Sequence, residues 1–233
     1  CQLGDYSYQA MRELVMLQAP SNHSFTQNFL DGLSDHEIRI VTILEGIKRA
    51  VSSQTNILYA QGCNHQDEDQ TLIKEAVDAA LESDVVVLVL GDRSGLVPQC
   101  TTGETRDSCD LKLPGGQEPL AKAILDTQKP VVLVLVNGRP YAIPWLAERV
   151  DAIVEAWLPG EEGGNAVADV IFGTVNPGGK LPITFPRSVG QLPLVYHAKP
   201  AGKRSHWYGE YVDSDVAPLF PFGHGLSYTS FEY

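Results

Sequence analysis

Glu104 stands in Gly103-Glu104-Thr105-Arg106-Asp107, at the far end of a polar stretch that begins at Gly91 and also holds Asp92 and Arg93. A carboxyl group on such a loop can give up and take back a proton in a reaction when its surroundings tune its pKa to the working pH. Asp92 and Arg93 are candidates for orienting a substrate or Glu104 itself, the alternative being an internal salt bridge that fixes the loop. Other chemistries lack their residues. No G-x-S-x-G elbow is present, and the serines and six histidines are scattered without a nucleophile context. His23, His36, His65, His197, His206 and His224 show no metal-ligand spacing, and Cys1, Cys63, Cys100 and Cys109 no C-x-x-C pair, so no metal is expected. Neither G-x-G-x-x-G after the first strand nor G-x-x-x-x-G-K-[ST] occurs, and Gly160-Glu161-Glu162-Gly163-Gly164 puts carboxylates where a phosphate needs bare amides. No cofactor is expected.

The elements that must position the loop follow from periodicity. Asp84-Val85-Val86-Val87-Leu88-Val89-Leu90 fits a central parallel strand covered on both faces. The loop then leaves the carboxyl end of that strand, the edge at which open α/β sheets bind ligands. Thr42-Ile43-Leu44-Glu45 fits a capping box that opens a helix over 42–52. Residues 56–60 predict a strand, and Leu72, Ile73, Ala76, Val77, Ala80 and Leu81 an amphipathic helix over 70–82. Beyond the loop come a helix over 117–126, a strand over 131–136, a short helix over 144–149 and a strand over 152–156. A helix through Val170 follows, with Glu161 and Glu162 suited to its dipole. Residues 9–40 have no convincing period and predict mainly loop with one short helix. The alternation implies an α/β fold, a three-layer α/β/α sandwich on a mostly parallel sheet. The whole chain, 1–233, reads as one domain, with a Gly/Pro/aromatic-rich tail over 174–233 that wraps it. Trp145 and Trp157 are most simply core.

The length suffices for an ordinary core, and the composition is that of a globular protein. No apolar run approaches the roughly 18 residues of a membrane span. A formal charge of −12, with no compensating Lys/Arg cluster, opposes binding to a phosphate backbone, so neither nucleic acid nor membrane is an expected partner. Free thiols are the default, although Cys100 and Cys109 bracket Glu104 and leave open a disulfide clasping the loop. Asn22-His23-Ser24 matches a glycosylation acceptor, a tripeptide common by chance.

The loop motif runs into Leu111-Lys112-Leu113-Pro114-Gly115-Gly116-Gln117. After it come Lys129-Pro130-Val131-Val132, Asn137-Gly138-Arg139-Pro140 and Trp157-Leu158-Pro159-Gly160-Glu161-Glu162-Gly163. Asn176-Pro177-Gly178-Gly179-Lys180-Leu181-Pro182 and Pro221-Phe222-Gly223-His224-Gly225-Leu226-Ser227-Tyr228 complete the series. In this order and spacing the chain resembles, from near residue 1 to its end, the C-terminal α/β-sandwich domain of family-3 glycoside hydrolases. The resemblance implies a retaining, exo-acting β-glycosidase of the β-glucosidase or β-xylosidase type, acting on an oligosaccharide or β-glycoside. It implies a two-domain site, in which an N-terminal barrel of the same protein brings the aspartate nucleophile and this domain lends Glu104 as acid/base. On that reading the isolated chain is inactive, because glycoside hydrolysis ordinarily needs two carboxylates. Tyr6, in Gly4-Asp5-Tyr6, falls where some members place an aromatic that stacks on the sugar, and Trp207 is a further substrate-binding candidate whose alternative is packing of the tail. The barrel, the strand that normally precedes Gly4-Asp5-Tyr6 and the fibronectin-like domain of many members are absent from this sequence. The rival reading is a carbohydrate-binding or domain-interaction module in which Glu104 has no catalytic part.

Overall fold

The structure is a computed structural model that describes residues 2–18, 39–197, 211–230 and 232. The Asn22 tripeptide and Trp207 lie outside the described residues. Among the described residues, six α-helices and three strands follow one another along the chain: α1 (Tyr8–Gln18), α2 (Ile43–Ala50), α3 (Ile73–Leu81), β1 (Val86–Gly91), α4 (Gln117–Leu125), β2 (Val131–Val136), α5 (Pro144–Ala147), β3 (Ala152–Glu155) and α6 (Gly163–Ile171). The strands form one parallel sheet in the order β1-β2-β3, with Leu88 opposite Leu133 and Leu133 opposite Ile153.

Alternation of side chains along β2 divides the core into two layers. Val131, Leu133 and Leu135 face α3, α4 and α5, packing with Ala76, Ala80, Leu120, Ala121, Ile124 and Leu146. Val134 and Val136 point the other way, onto Ile43 of α2 and Val167 of α6. Helices on both faces of a parallel sheet make the three-layer α/β/α sandwich, and they explain why β2 is apolar at every position.

Local signals set most boundaries. The Thr42 hydroxyl accepts from the Glu45 amide at 3.2 Å and the Glu45 carboxylate accepts from the Thr42 amide at 2.8 Å, so the capping box starts α2 as its sequence demands. Those bonds hold the Glu45 carboxyl below the usual range, the Thr42 backbone contributing most. Where α2 crosses α6, Gly46 and Gly164 let the backbones touch: a Cβ on Gly46 would lie 2.0 Å from the Gly164 carbonyl oxygen, and one on Gly164 2.0 Å from that of Thr42.

Two expectations fail at the other side of the sheet. Residues 56–60 form no strand, because a cavity of about 1320 Å³ separates this segment from β1 and leaves it no ladder partner. For the same reason β1 is an edge strand of the described sheet, not a central one, and Val89 is 44% exposed. The tail packs beside β3: Phe185 and Phe220 form an antiparallel bridge, and buried Phe185 meets Trp157 at a centroid distance of 5.8 Å. Gln191 anchors its middle by accepting from the Arg187 amide and donating to the Asp215 carbonyl. Trp145 packs against the main core, half-buried, with the Lys122 ammonium 5.1 Å above its ring.

Candidate active site

The chain segments that follow β1, β2 and β3 meet at the carboxyl edge of the sheet, where residues 4–6, ahead of α1, join them. Glu104 sits at the exposed crest of the loop after β1. Its amide donates to the Asp5 carboxylate at 2.8 Å, and the Tyr6 hydroxyl donates to its Oε2. The bond to Glu104 is the largest cause that raises the Tyr6 phenol above its ordinary pKa. Tyr6 is 69% exposed, so a ring face beside the carboxyl group is open to a ligand. The backbone is unusual at the same place. Thr105 has φ 62°, a left-handed conformation that is rare for a β-branched residue. Such a residue stores about 1–3 kcal/mol and marks a conformation imposed by its surroundings. Gly103 precedes Glu104 with φ 127°, and a Cβ there would come within 2.3 Å of the Gly95 carbonyl oxygen.

A buried polar layer imposes that conformation. Asp92, only 2% exposed, directs its carboxylate inward and accepts from the Thr101 hydroxyl at 2.8 Å, the Gly138 amide at 3.0 Å and the Tyr141 hydroxyl at 2.5 Å. Burial, then the nearby Asp92 charge, push the Tyr141 phenol far above its usual range, so it acts as a donor throughout. The Thr101 hydroxyl in turn accepts from the Arg93 amide at 2.9 Å, and the Thr101 and Thr102 amides donate back to the Arg93 carbonyl. The loop is thereby folded on itself. Arg139 closes it from the β2 side: one guanidinium nitrogen donates to the Thr101 carbonyl at 2.8 Å and the Arg106 carbonyl at 2.7 Å, bracketing Glu104. At the loop's root, the buried Gln117 side chain at the start of α4 donates to the Gly91 carbonyl and accepts from its amide, both at 2.7 Å. A cleft of about 330 Å³ lies alongside, lined by Asp92, Thr101, Arg106, Asp107, Arg139 and Tyr141.

Of the residues singled out in the sequence, Glu104 and Tyr6 are brought into contact. Asp92 lies beneath the loop and seats it; its carboxylate is not presented to solvent. Arg93 reaches 3.2 Å to Glu13 of α1, an ion pair one-third exposed on each side, which ties the loop to the segment carrying Tyr6. Cys100 is buried, Cys109 exposed, and both are free, so no disulfide clasps the loop. Among the described residues no His/Cys/Asp/Glu group could hold a metal ion, and no helix is long and apolar enough to cross a membrane. Glu161 and Glu162 lie just ahead of α6, and Glu162 accepts from the Asn165 side chain at 2.5 Å. Sequence reasoning gave no role to Asp5, Thr101, Gln117, Arg139 or Tyr141. Asp5 and Arg139 were visible inside short motifs, but nothing local in the sequence pairs them with a loop 30–100 residues away.

The sequence model of the glycosyl hydrolase family 3 C-terminal domain matches residues 1–228. The chain is 46% identical over 212 residues to a β-xylosidase of Formosa agariphila, covering 89% of this chain and 28% of that protein. It is 42% identical over 217 residues to a periplasmic β-glucosidase of Salmonella typhimurium, with 82% and 28% covered. Among solved structures, a β-glucosidase from Erythrobacter marinus superposes with a TM-score of 0.69 at 42% identity, covering 82% of this chain and 28% of that one. A Listeria innocua β-glucosidase in complex with isofagomine gives 0.70 at 32% identity, with 83% and 27% covered. The chain thus spans little more than a quarter of the length of these relatives.

Proposed function

Since this chain belongs to the glycosyl hydrolase family 3 C-terminal domains, we propose that it is the acid/base half of a retaining, exo-acting β-glycosidase that removes terminal β-linked glucose or xylose. The observation that carries this reading is the placement of Glu104: an exposed carboxyl group on a rigidly seated loop at the carboxyl edge of the sheet, with an open aromatic ring bonded to it. Glu104 protonates the glycosidic oxygen as the leaving group departs. An aspartate from a barrel domain of the same protein attacks the anomeric carbon and forms the glycosyl-enzyme. Glu104, now a carboxylate, takes a proton from the water that displaces the enzyme from that carbon. Tyr6 holds the Glu104 carboxyl group in place and offers its ring to the sugar. Asp92 and Arg93 serve the loop, Asp92 from below and Arg93 through Glu13. The barrel supplies the nucleophile, so the 233-residue chain alone does not hydrolyse aryl β-glycosides.

The test uses a full-length protein that contains this chain. Glu104→Gly is expected to lower aryl-glycoside hydrolysis by about 10²–10⁴-fold, the usual worth of a general acid/base. Added azide partly restores turnover, with glycosyl azide as product. A variant as active as the wild type would remove Glu104 from the mechanism.

A further inference from the structure

Glu104 is the second residue of a tight turn that its own sequence does not favour. The Arg106 amide donates to the Gly103 carbonyl at 3.1 Å and closes a turn over residues 103–106, with Thr105 in third place. The φ of 62° at Thr105 is what glycine or asparagine normally supplies at that place, and a β-branched residue adopts it only under constraint. Two contacts from outside the loop bear on the turn. The Asp5 carboxylate accepts from the Glu104 amide at 2.8 Å, and one guanidinium nitrogen of Arg139 donates both to the Thr101 carbonyl at 2.8 Å and to the Arg106 carbonyl at 2.7 Å. We infer that Arg139 is a positioning residue for Glu104: its guanidinium holds the loop on either side of Glu104 and keeps the turn in the conformation that Thr105 disfavours.

Arg139 can do this because its own backbone is fixed. Asn137, directly after β2 and wholly buried, donates from Nδ2 to the Arg139 carbonyl at 2.8 Å, and its amide donates to the Trp157 carbonyl beyond β3 at 3.0 Å. Gly138, between the two, brings the backbone hard against the loop. Its amide donates to the Asp92 carboxylate at 3.0 Å, and a Cβ there would lie 2.5 Å from the Thr102 hydroxyl oxygen. The guanidinium therefore reaches out from a rigid turn on the neighbouring strand. It is also permanently charged and planar, so no change of pH within the working range releases its donors. Without it the turn is free to relax to a negative φ at Thr105, and the Glu104 carboxyl group loses its single placement beside Tyr6.

The consequence for catalysis rests on the proposed role of Glu104, but the seating of the turn does not, and it is read in the 233-residue chain without any activity. Amide exchange is measured at Thr101, Thr102, Glu104 and Arg106, with the β2 amides as internal control. Arg139→Ala is expected to cost these loop amides about tenfold or more in protection with β2 unchanged, and Thr105→Gly in the same chain to restore part of it by removing the strain. Unchanged loop protection, an equal loss in β2, or no restoration by Thr105→Gly overturns the inference. Should Arg139→Ala not fold, Arg139→Lys is read in the same way, since it keeps the charge and loses the planar fork. In a full-length protein that contains this chain, kcat/KM is compared for a phenyl and a dinitrophenyl β-glycoside. The activated leaving group needs little protonation, so Arg139→Ala is expected to lose about tenfold or more beyond that on the phenyl glycoside, with guanidinium ion added below its denaturing range restoring part of the difference. Equal losses on both substrates, where Glu104→Gly does discriminate between them, overturn the inference. If Glu104→Gly itself does not discriminate, the acid/base reading fails instead, and amide exchange alone decides the role of Arg139.

Discussion

At the scale of single residues, the site is a set of hydrogen bonds made to one loop from distant parts of the chain. Tyr6 and Glu104 share one of them across 98 positions, and it is what lifts the Tyr6 phenol. In Glu104→Gln the charge is gone, and the Tyr6 ionisation, followed by its ring ¹³C shift, is expected to fall back toward the ordinary tyrosine value. No change on substitution would mean that the contact does not persist in solution. Asp92 behaves differently because it is buried. Asp92→Ala strands the Tyr141 hydroxyl, the Thr101 hydroxyl and the Gly138 amide, and a buried donor left unpaired costs about 1–3 kcal/mol. A loss of at least about 2 kcal/mol in urea unfolding is expected; a change below about 0.5 kcal/mol, typical of plain surface substitutions, would show that water replaces the carboxylate.

At the scale of elements, the two faces of the sheet are held in different ways. The α3, α4 and α5 face is sealed by aliphatic side chains, whereas α2 and α6 approach until only hydrogens separate their backbones at Gly46 and Gly164. Gly164→Ala must push these helices apart, and a destabilisation of about 1–3 kcal/mol or more is expected. Gly178→Ala is the control, since nothing lies within 4 Å of a Cβ built there. Equal midpoints of thermal unfolding for the two variants would contradict the close crossing. The same view explains the failed strand at 56–60. Its side chains are apolar enough for a strand, but a strand exists only through its neighbour, and β1 lies across a cavity from it.

For the whole molecule, the buried carboxyl group of Glu155 makes stability depend on pH. An unfolded chain ionises it near 4.5, the fold not until about 8. Its contribution is therefore complete below about pH 4.5, declines as the unfolded state ionises, and is lost once the pH has risen through 8. Over that window the loss is on the order of 3–5 kcal/mol. Glu155→Gln removes it. Urea unfolding of the variant should show a flatter dependence between pH 5 and 8 and a higher stability at about pH 8 than wild type. Parallel curves for the two proteins would show that Glu155 titrates alike in both states.

The sequence by itself determined which segments become helix and strand wherever period and capping agree: the Thr42 box, the apolar run of β2 and the amphipathic α3. It also determined the three-layer class, and the ordered motifs from Gly103 to Tyr228 fixed the family. These are short-range patterns, so they survive without coordinates. Which strand is central, which carboxylate faces solvent and which lies buried were decided only by the tertiary structure. Asp92 and Glu104 are both acidic residues in one polar loop, and nothing in their neighbours separates them. What separates them is Tyr141, Gly138 and Arg139 from the turn after β2, and Asp5 and Tyr6 from the head of α1. Burial and hydrogen bonding are set by what the fold brings near, and here the partners of Glu104 lie 98 and 99 positions away.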